Sequence, residues 1–314
     1  MIHLGSTRKS PLPLFLISAL HESGGGFITR LFDGHPELKV YPFEMQLGTD
    51  APRDELKGYC FQPRYRWPRF SERFKNCEAL HRSITDREVK RYLTNRSASK
   101  FSVFDLRLSM EDWMRNFQHH LRRFKGKMNR SSVIESYLLS FFSSWRSRLK
   151  SKKEWAVLGH CPILLFDVEA VFCDFPNSKM VHLVRSPEAT FHDTKQRLPH
   201  LKPREFCSIW NLTVFFSTYC QKKYPHRFLV IRYESLIASK VKTLKLICAF
   251  LGISYSPKML KPSWNGIPLG SINPFGGIPD PSLAYERTVR RALPKRIATF
   301  IRQLTFSTRT LYGY

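Results

Sequence analysis

Residues 14–44, LFLISALHESGGGFITRLFDGHPELKVYPFE, constrain the fold more than any other stretch of the chain. Leu14 to Leu20 form an apolar run with the length and composition of a buried strand. Three consecutive glycines follow, Gly24, Gly25 and Gly26, and Phe27, Ile28 and Leu31 then take up helical spacing. Strand, glycine turn, helix is the order that aims backbone N–H groups and a helix N-terminus at an anion. Glycine suits the turn because no side chain blocks a phosphate and positive φ is cheap. The helix is predicted to stop before Gly34-His35-Pro36, since proline disfavours helix in the residue ahead of it. An extended segment from Leu38 to Tyr41 then delivers Glu44. No Gly-Lys-Ser/Thr follows the glycines, and their adjacency excludes a spaced dinucleotide fingerprint. By itself the stretch is either an anion cradle with a carboxylate close behind it or a plain tight turn.

The rest of the chain supplies the context. Helical periods run near Glu72–Leu93 and over Ser132–Leu149, where Ile134, Tyr137, Leu138, Phe141, Phe142 and Trp145 make a wide apolar stripe. Between 49 and 72, Pro52, Pro63 and Pro68 interrupt Arg64, Tyr65, Arg66 and Arg69, which reads as an exposed connection with snorkelling arginines. After Lys150 strand and helix alternate: strand Trp155–Leu158, helix Ile163–Cys173, strand Lys179–Val184, helix Arg204–Lys223 and strand Arg227–Ile231. Val241, Leu244, Ile247 and Leu251 form a further stripe closed by Gly252, and residues 288–304 carry the last one. Residues 261–282 are rich in proline and glycine, as an ordered loop or lid would be. This spacing predicts an α/β fold of three layers, α/β/α, around a mainly parallel sheet. Ligands of such sheets sit at the carboxyl ends of strands, where Ala19–Gly26, Gly159–Pro162 and the chain from Arg185 onward would converge. One domain is expected over 13–314, after a basic lead-in of residues 1–12.

Charge narrows the partners. Lys and Arg number 51 against 25 Asp and Glu, a net +26, a field that attracts polyanions of any kind. Seven cysteines without a C-x-x-C pair suggest reduced thiols in a cytoplasmic protein. No run reaches transmembrane length, and the apolar stretch after Arg8-Lys9 lacks an A-x-A cleavage pattern, so it reads as the first strand. His119 and His120 are neighbours and would point about 100° apart on a helix, so they do not grip a metal together, and no metal is expected.

Several blocks together resemble the sulfotransferases that use 3′-phosphoadenosine 5′-phosphosulfate (PAPS), in their carbohydrate and bacterial branches. FLISALHESGGGFITRLFDGHPEL is similar to that family's 5′-phosphosulfate loop, a strand followed by Arg or Lys, Ser, Gly, two Thr and a helix ending in D-x-HP. FPNSKMVHLVRSPEATFHD resembles its 3′-phosphate strand and loop, and FLVIRYESL with LKLICAFLGISYSPKML resembles a third conserved region. GHCP at 159–162 takes the place of a fourth segment, and the similarity runs from about residue 13 to 271.

The resemblance implies a P-loop-like nucleotide-binding sulfotransferase fold. It also implies PAPS as sulfuryl donor and a hydroxyl acceptor, a glycan by the branches concerned. His21, Glu22, Ser23, Gly24, Gly25, Gly26 and Phe27 would hold the 5′-phosphosulfate. Arg185, with Asp193, Thr194 and Ser271, would serve the rest of the nucleotide, Arg185 at the 3′-phosphate. Sulfuryl transfer, like phosphoryl transfer, works by positioning and charge stabilisation, and the acceptor hydroxyl needs a base. Glu44 is the first choice and His160 the second. The chain departs from the family at three places: Glu22 stands where Arg or Lys is usual, Gly25 and Gly26 replace hydroxyl residues, and Asp193 falls near the usual 3′-phosphate serine. A catalytically weakened binder of nucleotide or anionic glycan is therefore the rival within the fold. The net charge alone admits a nucleic-acid-binding protein, but no nucleic-acid motif is present and no such partner is expected.

Overall fold

The computed structural model describes residues 2–3, 10–47, 66–68, 73–99, 101–124, 128–149, 151–269 and 281–314. Its centre is a five-stranded sheet: β1 (Leu14–Ala19), β2 (Leu38–Glu44), β3 (Ala156–His160), β4 (Lys179–Val184) and β5 (Phe228–Arg232). The strand order is β2-β3-β1-β4-β5, and every pairing is parallel. This is the mainly parallel sheet that the alternation of strand and helix predicts.

Alternation along β1 explains the layers. Leu14 and Leu16 enter a cluster with Trp113, Tyr137 and Phe141, which belong to α4 (Met110–Arg122) and α5 (Arg130–Ser144). Phe15, Ile17 and Ala19 join Ile28, Leu31, Leu236, Ile247 and Leu251 on the other face, from α1 (Gly25–Leu31), α9 (Tyr233–Ala238) and α10 (Lys240–Leu251). A strand buried on both faces is expected to be almost wholly apolar, as β1 is apart from Ser18, whose buried Oγ accepts a hydrogen bond from the Leu165 N–H. A third cluster packs Leu20, Val184, Phe191, Trp210 and Ile301 among α7 (Pro187–Arg197), α8 (Pro203–Lys223) and α12 (Lys295–Arg309).

Several boundaries differ from the sequence reading, each for a local reason. The helical periods near 72–93 are two helices, α2 (Cys77–Ile84) and α3 (Arg87–Thr94), capped by Asn76 and Asp86. α5 begins at Arg130 through a capping box between Asn129 and Ser132 and ends at Ser144, where Trp145 turns extended. The helix expected at 163–173 is delayed, because the Ile163 N–H donates to the Ala19 carbonyl (3.0 Å) and the Leu165 N–H to Ser18 Oγ (3.1 Å). Bound to β1, residues 164–167 form one 3₁₀ turn, and α6 (Val168–Asp174) starts after them. The stripe at 288–304 is broken at Pro294 into α11 (Leu283–Ala292) and α12, since the residue ahead of proline leaves the helix. Val241, placed in the α10 stripe, is 43% exposed. Ser10, at the end of the expected lead-in, is buried and its N–H donates to the Asp174 carbonyl (2.9 Å). No described helix is long and apolar enough to cross a membrane.

Candidate active site

The carboxyl ends of the five strands gather the residues that carry chemistry. After Ala19 the chain turns through Glu22 (φ 58°) and Gly24 (φ 88°), with the Ser23 N–H closing on the Leu20 carbonyl (3.1 Å), and α1 begins at Gly25. Two of the glycines are fixed by close approach. A Cβ on Gly24 would collide with the ring of Tyr233, and one on Gly25 with His160 Nε2. The turn is thus built against the ends of β5 and β3 and cannot carry side chains at those positions.

His160 is the last residue of β3, two residues beyond the predicted strand end at Leu158. It lies directly across from Glu44, the last residue of β2. The β2–β3 pairing is irregular between Val40 and Glu44, where Pro42 has no N–H to give the ladder. The Met45 N–H donates to the His160 carbonyl at 2.6 Å, and Glu44 Oε2 accepts from Gln46 Nε2 at 3.0 Å. Glu44 is half-buried and His160 is 5% exposed. The two base candidates and the glycine turn therefore adjoin one another, through backbone register and the His160–Gly25 contact.

At the end of β4 the chain delivers Arg185, whose side chain is fully buried. Its Nη2 donates to Glu286 Oε1 (2.6 Å), its Nε to both Glu286 oxygens (3.0 and 3.2 Å) and its Nη1 to Asp193 Oδ2 (2.7 Å) and the Glu22 carbonyl (2.6 Å). Burial works against the cation, but Glu286 and Asp193 more than offset it and hold the guanidinium pKa above its ordinary value. Asp193 also accepts from the Tyr285 hydroxyl (3.0 Å) and lies 2.9 Å from His192 Nδ1. Thr194 donates its hydroxyl to the Thr190 carbonyl within α7 (2.7 Å). Glu22 turns its carboxylate to Arg197 Nε (2.9 Å), and burial pushes its pKa up.

Of the other expected site residues, Ser23 is buried in the turn, His21 is half-buried, and Phe27 packs its ring edge-on to Tyr233 (6.5 Å). Gly26 lies in the first turn of α1. Ser271 lies outside the described residues. Sequence reasoning missed two participants. Tyr233, the residue after β5, lies under Arg185 (5.3 Å from guanidinium to ring) and against Gly24, and its buried hydroxyl has no partner among the described residues. Its signal was positional, because it leaves its strand as Arg185 leaves β4. Glu286 had none: it lies 101 residues from Arg185, on α11.

The model of the sulfotransferase family matches residues 13–257. No curated protein matches the chain. Among solved structures, the chain is similar to the sulfotransferase domain of the Synechococcus PCC 7002 olefin synthase, with 18% identity, 98% of this chain and 96% of that one covered, and a TM-score of 0.56. It is also similar to the sulfotransferase domain from the curacin biosynthetic pathway, with 16% identity, 94% and 98% covered, and a TM-score of 0.50.

Proposed function

Because this chain belongs to the sulfotransferase family, transferases of sulfur-containing groups, we propose that it moves a sulfuryl group from PAPS to a hydroxyl of a carbohydrate or other glycoconjugate. The observation that carries this reading is the convergence of the glycine turn, His160 and Glu44 at the ends of three parallel strands. The 5′ end of the donor suits the residues present: Gly25 and Gly26 begin α1, and the ring of Tyr233, whose buried hydroxyl has no partner among the described residues, lies against Gly24. The bound donor supplies the activated sulfuryl group. Backbone N–H groups of Gly24 to Phe27 orient it, and Glu44 takes the acceptor proton, with His160 as the alternative base. Arg185 is the residue that the resemblance places at the 3′-phosphate, and its guanidinium here donates to Glu286 and Asp193. The glycan is chosen from the carbohydrate branch that the sequence blocks resemble, and the net charge of +26 suits an acidic acceptor of that kind.

The test is transfer of labelled sulfate from PAPS to a panel of glycans, with donor affinity measured by calorimetry. Turnover on any glycan supports the proposal. Binding without turnover favours the weakened binder, a reading supported by the carboxylates already at Arg185 and by the acid at position 22. Absence of PAPS binding overturns both.

A further inference from the structure

Every nitrogen of the Arg185 guanidinium donates to an oxygen of this chain, and two of its three partners are carboxylates. Glu286 takes the Nε/Nη2 edge in the paired geometry that a phosphate also takes, and its side chain is 3% exposed. Asp193 takes Nη1, at the place where the resemblance implies a serine hydroxyl. Thr194, the neighbouring hydroxyl, is spent on the Thr190 carbonyl. A 3′-phosphate carries about −1.5 to −2 charges at neutral pH, so it would enter beside two acids rather than a free cation. The helix that brings Glu286 is also tied down on either side: Tyr285 donates to Asp193 and Arg290 to Glu234 (3.1 Å).

We propose that Glu286 is a specificity-determining residue for the donor nucleotide: its carboxylate holds the Arg185 fork in place of a 3′-phosphate. The chain then gains little affinity from that phosphate, and its recognition of the nucleotide rests on the 5′ end and the glycine turn. The inference depends on the reading above, in which the nucleotide places its ribose toward Arg185.

Calorimetry on the full chain with 3′-phosphoadenosine 5′-phosphate (PAP) and with 5′-AMP isolates the effect, because the two ligands differ by the 3′-phosphate alone. In the unaltered protein the two affinities are expected to agree within about threefold. In Glu286→Gln, PAP is expected to tighten by about tenfold or more while 5′-AMP stays within about twofold, which also reports that the variant is folded. Asp193→Asn is a second variant expected to move the PAP affinity in the same direction. A preference for PAP of about a hundredfold in the unaltered protein overturns the inference, as does an unchanged PAP to 5′-AMP ratio in both variants. If neither nucleotide binds the unaltered protein, the donor reading itself falls, and the role of Glu286 with it.

Discussion

Glu44 and His160 stand opposite each other as the last residues of adjacent parallel strands, and the imidazole of His160 reaches the first residue of α1. A carboxylate and an imidazole are thereby placed at one strand edge, beside the turn assigned to the donor. Their environments differ, since Glu44 is half-buried and bonded to Gln46, whereas His160 is enclosed by the turn. The more open of the two has room to meet an acceptor, which is the physical reason for ranking Glu44 first.

Glu44→Gln removes the proposed base and keeps the shape. Turnover in the labelled-sulfate assay is expected to fall by about 10²–10⁴-fold, the usual worth of a positioned base, while PAPS affinity by calorimetry stays within about twofold. Full activity in this variant would move the base role to His160 or Glu22, and either His160→Asn or Glu22→Gln would then be expected to show the same loss.

Gly25→Ala tests the contact between the turn and β3. The added Cβ meets His160 Nε2, and overpacking of a closed site costs about 1–3 kcal/mol in urea unfolding. If His160 is the obstacle, Gly25→Ala combined with His160→Ala should cost about 1 kcal/mol less than the sum of the single variants. Strict additivity would mean that the turn is confined by something other than the imidazole.

How much of this was legible before the structure depends on the range of the contact. The apolar run of β1, broken only by Ser18, the glycines and the strand ending at Val184 carry local signals, and the sheet and its carboxyl-end site follow from them. The start of α6 was misplaced because Ile163 and Leu165 bond to β1, about 145 residues earlier, and no periodicity reports that. The partners of Arg185 were hidden for the same reason. Asp193 was visible eight residues away as an odd substitution, but Glu286 is joined to the arginine only by the fold.

Asp86 should give the chain a pH-dependent stability. Burial pushes its carboxyl up to about 7, against hydrogen bonds from the Glu88 N–H (2.8 Å), the Gln46 N–H (2.9 Å) and the Tyr41 hydroxyl (3.2 Å). Between roughly pH 4 and 7 the folded chain keeps a proton that the unfolded chain has lost. This contribution to stability is therefore full below about pH 4 and is lost as pH rises through about 7. Asp86→Asn keeps an oxygen acceptor and removes the titration. Urea unfolding from about pH 4.5 to 8 is expected to show the variant gaining on the unaltered protein by at most about 1.4 kcal/mol per pH unit. A constant difference across that range would show that Asp86 is ionised throughout.

Arg185→Ala addresses whether the buried network also holds the fold together. Removing the guanidinium leaves Glu286 and Asp193 buried without their cation, a change that typically costs about 3–5 kcal/mol. The cost comes mainly from the stranded charges, so neutralising one of them should return part of it. Arg185→Ala with Glu286→Gln is expected to be more stable than Arg185→Ala alone in urea unfolding, by about 1–3 kcal/mol. The same reasoning predicts that Glu286→Gln alone is mild, because the amide oxygen still accepts from Nη2 while Asp193 continues to balance the arginine. A double variant no better than Arg185→Ala would mean that the penalty lies in lost packing around the guanidinium stem and Tyr233, and that the carboxylates are tolerated without their partner.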